Sequence, residues 1–218
     1  RLPADAPVTA YANALITAGF VDAHVHYPQL PIIGAGGLPL LDWLATYTFP
    51  AEERYADATY ARTVARVYLR ENLRNGITSA AVFATVHAAS VDALMREAEA
   101  RSLRVIAGKV LMDRRAPRAL LDTAQRGYDE SKRLIARWHG RGRLAYAITP
   151  RFAVTSSPAQ LDAAGALKRE HPDAYVQSHL SENRAEIARV AELFPGSASY
   201  LDVYAKHGLT GAGPPLKR

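Results

Sequence analysis

The 218-residue sequence predicts an α/β fold with a parallel sheet. Short apolar runs rich in Val, Ile, Ala and Tyr alternate with longer amphipathic segments, and strands buried on both faces have this composition. The repeated strand-then-helix order is typical of either a barrel or a doubly wound sheet. No Gly-x-Gly-x-x-Gly follows the first apolar run, which disfavours a nucleotide-binding open sheet.

The strands and helices are read from these runs in chain order. Five strands are predicted, at Phe20–Tyr27, Ile77–Ala84, Arg104–Met112, Leu144–Arg151 and Ala174–Ser181. Five helices follow them, at Asp57–Asn75, Ser90–Arg101, Leu120–His139, Pro158–His171 and Glu182–Leu193. Ser90 and Ser157 are predicted N-caps, with proline following Ser157, and Gly76 is a predicted helix end.

The strand count predicts an incomplete barrel, since a closed one needs about eight strands. Residues 1–18 differ in pattern and are predicted to be the remnant of a small β domain. Residues 19–209 form the predicted partial barrel. Residues 210–218 are rich in Gly and Pro and are predicted to be an irregular tail.

Composition and charge exclude several classes of site. The chain has no cysteine, so any transition metal must be held by His, Asp or Glu. The net charge is +6, but the basic residues are scattered, which argues against nucleic-acid binding. No apolar run approaches the roughly 20 residues of a membrane span, and the first residues lack a signal-peptide core. A cytoplasmic location is therefore expected.

Two histidines, His24 and His26, lie near the end of the first predicted strand. Strand side chains alternate faces, so Asp22, His24 and His26 are expected to point the same way. The two imidazoles are then placed to bind one metal ion, and Asp22 to orient one of the rings. Two ordinary histidines at a strand end are the alternative. The position directly after Ala-Gly-Phe-Val-Asp favours metal binding.

A second cluster, His179 and Glu182, follows the fifth predicted strand. His179 is a candidate third metal ligand. Glu182, three residues later, is placed to exchange protons with a water that the metal activates. An acid at a helix start, favoured by the helix dipole, is the alternative for Glu182. The upstream histidine pair favours the catalytic interpretation.

Arg151 and Phe152 follow the fourth predicted strand, where they suit a flat ligand that bears a carbonyl group. An arginine tied to a carboxylate or to helix carbonyls remains open. Gln29 is placed to offer an amide donor and acceptor to the same ligand. Lys109 is interpreted as a structural lysine paired with a buried acid such as Asp113, rather than a carboxylated lysine bridging two metals.

Taken together, these motifs resemble the guanine deaminases of the amidohydrolase superfamily. The resemblance runs from about residue 15 to Leu209, and its motifs are His24–Gln29, Leu41–Pro50, Gly108–Asp113, Thr149–Ala153 and His179–Asn183. It implies a (β/α)8 TIM-type barrel with a small β-sandwich, one zinc ion per chain, a dimer, and conversion of guanine to xanthine and ammonia. It also implies roles for single residues: zinc ligands His24, His26 and His179, proton shuttle Glu182, and purine contacts Gln29, Arg151 and Phe152.

The sequence departs from the family pattern after Leu209. The family continues into a strand with a further histidine and, later, one with a zinc-ligating aspartate, whereas here Thr210 leads into a Gly/Pro-rich stretch. A truncated form with little or no activity is therefore expected, with the remaining ligands beyond the C-terminus. The alternatives are an amidohydrolase acting on another amino- or chloro-substituted heterocycle, and a non-catalytic remnant that oligomerises.

Overall fold

The computed structural model describes residue 3 and residues 5–211. Six parallel strands form its sheet: β1 (Phe20–His26), β2 (Ile77–Phe83), β3 (Arg104–Gly108), β4 (Val110–Leu111), β5 (Ala145–Pro150) and β6 (Tyr175–Val176). Their order is β1-β2-β3-β5, and both β4 and β6 also pair with β5. Only Lys109 separates β3 from β4, so these two segments correspond to one predicted strand. The predicted parallel α/β sheet is therefore confirmed, as part of a barrel.

The fifth strand is much shorter than predicted. After Val176 the chain stays beside β5 through separate hydrogen bonds, from the Gln177 N–H to the Ile148 carbonyl and from the His179 N–H to the Arg151 carbonyl. These two hydrogen bonds take the place of a continuous β-ladder between β5 and β6. They keep His179 next to the end of β5 while the chain turns toward the next helix.

Eight α-helices are present in the described part of the chain. They are α1 (Leu40–Trp43), α2 (Phe49–Glu53), α3 (Ala58–Arg74), α4 (Ala88–Glu99), α5 (Ala124–Trp138), α6 (Pro158–Glu170), α7 (Arg184–Leu193) and α8 (Tyr200–Lys206). A π-helical turn at Leu44–Thr48 joins α1 to α2. The start of α6 is as predicted, because the Ser157 side chain accepts a hydrogen bond from the Gln160 N–H. Gly76 follows α3 with φ +77°, a conformation in which glycine avoids steric strain.

Three predicted helix starts were wrong. Helix α4 begins before Ser90, whose hydroxyl accepts a hydrogen bond from the Thr85 N–H and so joins the first turn to the preceding loop. Helix α5 begins only at Ala124, capped by Thr123, after a short 3-10 turn. Helix α7 begins after Glu182. Periodicity extends across such flanking turns, so it does not show which hydroxyl or amide caps the helix.

The core lies between the sheet and the helices that connect its strands. Its central side chains are completely or almost completely buried and come from β2, β3 and β5: Val82, Val105, Ala107, Tyr146 and Ile148. No helix in the described ranges is long and apolar enough to span a membrane. Because all strands run parallel, their carboxyl ends meet at one edge, where functional sites of such folds are built.

The N-terminal β remnant is not confirmed. Within residues 5–19 no strand is formed, and the apolar side chains of Val8, Leu15 and Ile16 are each more than three-quarters exposed. Alternating apolar residues form a strand only against a hydrogen-bonding partner, which the described residues do not offer them. In the predicted tail, residues 210 and 211 are irregular, and residues 212–218 lie outside the described part.

Candidate metal centre and ligand cleft

The first strand carries an irregularity next to its histidines. Asp22 pairs with Ala80 and Val25 with Val82, so β1 has one more residue than β2 across this interval. Such a bulge changes where side chains point. Asp22 accepts a hydrogen bond from the backbone N–H of His24 at 3.3 Å. The contact described for Asp22 is thus with the backbone of His24, and its expected role in orienting an imidazole is not confirmed.

Three histidines come together at the carboxyl ends of the strands. Candidate ligand atoms of His24, His26 and His179 all lie within 4.8 Å of one another. The Nε2 atoms of His26 and His179 are 3.0 Å apart, although 153 residues separate them in sequence. This spacing suits nitrogen ligands about 2.0–2.1 Å from one shared metal ion. The three side chains therefore fit a metal site.

His179 is held by the strand beside it. Its Nδ1–H donates a hydrogen bond to the Arg151 carbonyl oxygen at 2.7 Å, so Nε2 is left free to coordinate a metal ion. The Tyr204 hydroxyl donates to the His179 carbonyl at 2.8 Å and accepts from the Ser178 hydroxyl and the Ala153 N–H. Helix α8, which periodicity did not predict, thereby fixes the loop that carries this ligand.

The environment of His26 and His179 favours their neutral forms. Burial, with a smaller contribution from the positive charge of Arg151, holds the pKa of His26 well below its ordinary value. Burial also lowers the pKa of His179 to about 4, against the opposing effect of its bond to the Arg151 carbonyl. Neutral imidazole is the form that binds metal ions. His26 and His179 are therefore in the required protonation state at neutral pH.

Phe83 lies beneath the three histidines. Its ring is completely buried, and its centroid is 5.1 Å from that of His24 and 4.5 Å from those of His26 and His179. Sequence reasoning missed this residue. The signal that could have found Phe83 is its position at the end of β2. This strand pairs with β1, and Phe83 pairs directly with His26.

Glu182 lies at the rim of the same cleft. Its carboxylate is 4.0 Å from the Nε2 atom of His179, and its side chain is 44% exposed. Helix α7 is capped instead by Asn183 and Glu186, which form a capping box. Those two residues satisfy the first turn of α7, so Glu182 is not needed as a cap, and its carboxylate lies beside His179.

Arg151 fits both of its predicted roles, as a ligand contact and as an arginine paired with a carboxylate. Its side chain lines the cleft, and its Nη1 atom lies 2.9 and 2.7 Å from the two carboxylate oxygens of Glu52. Gln29 also lines the cleft and hydrogen-bonds to Glu52. Burial raises the pKa of Glu52, and the charge of Arg151 opposes that shift. Sequence reasoning missed Glu52, because nothing in Phe49–Glu53 distinguishes it from the neighbouring Glu53.

The residues together enclose a cleft of about 320 Å³. Small-molecule sites commonly have volumes of about 300–1,000 Å³, with apolar walls and a few polar groups. The cleft has both kinds of lining, with aromatic and aliphatic side chains beside the histidines. Its lining is His24, Val25, His26, Gln29, Leu40, Trp43, Leu44, Arg151, Phe152, His179 and Glu182. All seven predicted site residues line this one cleft.

Lys109 is a structural residue, but its predicted partner was wrong. Its Nζ atom lies 2.5 Å from Asp122 and 3.3 Å from Glu130, and it also bonds to the Val86 carbonyl. Asp113 instead accepts a hydrogen bond from the Ser157 N–H at the start of α6. Lys109 therefore points toward α5, which carries Glu130, and not toward Asp113.

A family model matches nearly the whole chain. Residues 15–212 match the amidohydrolase family. The chain belongs to this family. Similar sequences include a guanine deaminase from Escherichia coli (strain K12), which is 54% identical over 97% of this chain, and a probable guanine deaminase from Deinococcus radiodurans, which is 47% identical over 94%.

A solved amidohydrolase gives the structural comparison. A guanine deaminase from C. acetobutylicum, whose crystal structure holds guanine in the active site, is 33% identical and superposes with a TM-score of 0.93. The comparison covers 98% of this chain and 52% of that one. The matched segments amount to 48% and 47% of the E. coli and D. radiodurans proteins. The chain therefore spans about half the length of these relatives.

Proposed function

We propose that this chain carries the metal-binding and purine-binding part of a zinc-dependent guanine deaminase. The observation that supports it is the convergence of His24, His26 and His179 in one cleft with Glu182 and Arg151. Guanine has a flat ring system, a carbonyl oxygen and a leaving amino group. The cleft offers a counterpart to each of these features, and the 54% identical E. coli relative is named for that reaction.

The metal-binding residues are the three histidines, whose nitrogen-only ligand set suits Zn²⁺. When bound, zinc supplies Lewis-acid chemistry and lowers the pKa of a coordinated water to about 7. The chain contributes the orientation of its ligands, through the Arg151 carbonyl on His179 and the Phe83 ring below all three imidazoles.

The remaining cleft residues hold the substrate and move protons. Arg151 donates to the carbonyl oxygen of the purine, Phe152 packs against its ring, and Gln29 adds an amide contact. Glu182 takes a proton from the attacking water and passes it to the ring nitrogen beside the carbon under attack. Water adds at that carbon and ammonia leaves, so guanine and water give xanthine and ammonia.

The proposal is tested first by binding to the purified chain. We expect one zinc ion per chain by elemental analysis, and guanine binding by titration calorimetry that depends on that zinc. A chloro-substituted triazine is the competing ligand. Preference for the triazine would favour the alternative amidohydrolase function, and a zinc-loaded, folded chain without guanine binding would refute the proposal.

Turnover is tested separately, because the relatives are about twice as long as this chain. A hybrid replaces the matched segment of the E. coli enzyme with residues 15–209, and ammonia release from guanine is measured. We expect Glu182→Gln to lower kcat by about 10²–10⁴-fold while guanine binding persists. Glu192→Gln, at an exposed acid of α7, is the matched control and should leave kcat unchanged. Equal rates in both variants would contradict the role of Glu182.

The cytoplasmic location and the homodimer remain predictions. Both come from composition or from the family resemblance, and they are checked by fractionation and by sedimentation of the purified protein. A dimer that forms without zinc or guanine binding would favour the non-catalytic alternative.

A further inference from the structure

A buried carboxylate lies directly behind one wall of the cleft. Glu52 is completely buried on α2 and is not among the residues that line the cleft. Both of its oxygens accept hydrogen bonds from Arg151, and Gln29 also bonds to it. A buried carboxylate is costly unless it is paired, so the partners of Glu52 indicate its role. Those partners are Arg151 and Gln29, two polar side chains of one cleft wall.

Helix α2 holds the guanidinium from two sides. Phe49 and Glu52 are three residues apart, which places them on one face of the helix. The guanidinium carbon of Arg151 lies 5.4 Å from the centroid of the Phe49 ring, within the range of a cation–π contact. The ring and the carboxylate together limit the rotation of the Arg151 side chain about its terminal bonds.

The carboxylate also determines which way the Gln29 amide faces. An ionised carboxylate only accepts hydrogen bonds, so Gln29 must donate its NH₂ group to Glu52. Its carbonyl oxygen then remains to accept a hydrogen bond from a ligand. The wall presents donors from Arg151 beside an acceptor from Gln29, which complements a ring edge with a carbonyl oxygen and a neighbouring N–H group.

We infer that Glu52 is a positioning residue, which sets Arg151 and Gln29 to recognise a carbonyl and N–H edge of the substrate. The inference rests on the proposed function for the identity of the substrate as guanine. Glu52 acts through its two neighbours and does not itself touch the ligand.

The test compares three single variants of the full chain, each loaded with zinc. Glu52→Gln removes the charge at nearly constant size, and Glu52→Asp keeps the charge but withdraws it by one methylene. Glu53→Gln is the control, because Glu53 is the neighbouring, less buried acid on the same helix. Guanine and 2-aminopurine are titrated into each, since 2-aminopurine has no carbonyl oxygen. Circular dichroism and zinc content report on folding.

We expect Glu52→Gln to weaken guanine binding about 10- to 100-fold, by analogy with the loss found when groups that orient metal ligands are removed. Binding of 2-aminopurine should change by less than about threefold. Glu52→Asp should lie between Glu52→Gln and the parent, and it keeps the test available if the neutral variant does not fold. Parental guanine affinity in Glu52→Gln, or equal loss for both purines, would overturn the inference.

A second measurement does not depend on guanine. Rotation about the guanidinium C–N bonds of Arg151 is followed by nitrogen-15 NMR in the unliganded chain. We expect slow rotation in the parent and in Glu53→Gln, and fast rotation in Glu52→Gln. If the parent chain binds zinc but not guanine, the proposed function is refuted, but the positioning role of Glu52 is not. Unchanged rotation in Glu52→Gln would refute the positioning role whatever the ligand.

Discussion

Phe83 is expected to contribute both to the stability of the fold and to the zinc affinity of the three histidines. The variant Phe83→Leu allows the two contributions to be measured separately. The ring is completely buried and contacts all three histidine rings with centroids 4.5–5.1 Å apart. Replacing a buried phenylalanine by alanine costs about 3–5 kcal/mol, and leucine refills part of the space, so we expect a loss of about 1–2 kcal/mol. This loss should appear in the metal-free protein.

The effect on metal binding follows from the ring contacts. Aromatic pairs are worth about 0.5–1.5 kcal/mol each beyond burial, so three contacts contribute on the order of 1.5–4.5 kcal/mol to holding the imidazoles in place. Leucine retains part of this support. We expect zinc affinity to fall about 10- to 100-fold, the range found when groups that orient metal ligands are lost.

Two assays measure these effects. Urea unfolding in the presence of a chelator gives the stability of the metal-free chain, and titration against a competing chelator gives the zinc affinity. Phe194→Leu is the matched control, since Phe194 is also buried but packs against Arg114, away from the histidines. If Phe83→Leu and Phe194→Leu lose similar stability and both keep parental zinc affinity, the reasoning about Phe83 is refuted.

Lys109→Met should lower the free energy of unfolding by about 3–5 kcal/mol in urea, because it removes the buried cation nearest to the Asp122 carboxylate and leaves only the more exposed Arg126, and adding Asp122→Asn should recover part of it. Burial, with the nearby Lys109 charge, lowers the pKa of His87 from its ordinary 6.5. The stability that the neutral His87 side chain contributes is therefore present above pH 6.5 and is lost as the pH falls toward the folded-state pKa. His87→Gln should therefore show a shallower stability loss than the parent between about pH 7 and 5; an identical pH profile would contradict this. Zinc at about 100 times its Kd should raise the unfolding free energy by about 2.7 kcal/mol, a gain that His179→Ala should abolish and that chelation should reverse.

Much of the fold was predictable because its signals are local. Runs such as Ile77–Phe83 and Ala145–Pro150 are apolar on both faces, and that composition identifies a buried parallel strand without knowledge of its neighbours. The start of α6 was predictable for the same reason, since Ser157 and Pro158 define it within two residues. Helix α8 was missed because its seven residues span about two turns, too few for a clear period.

The sequence by itself determined the chemistry available to the site. His24 and His26 are two residues apart in one strand, and no cysteine competes as a ligand type. The family motifs then associated His179, Glu182 and Arg151 with that pair. These inferences needed only residue types, spacing and strand ends, which are properties of short segments.

Only the tertiary structure decided which groups support those residues. Glu52 meets Arg151 across 99 residues, and Phe83 meets His26 through the register of two strands. Lys109 pairs with Asp122 and not with Asp113, because packing of α5 on the sheet selects among the nearby acids. Such contacts depend on how whole elements pack and on a bulge that shifts register, and neither is encoded in the spacing of residues along one segment.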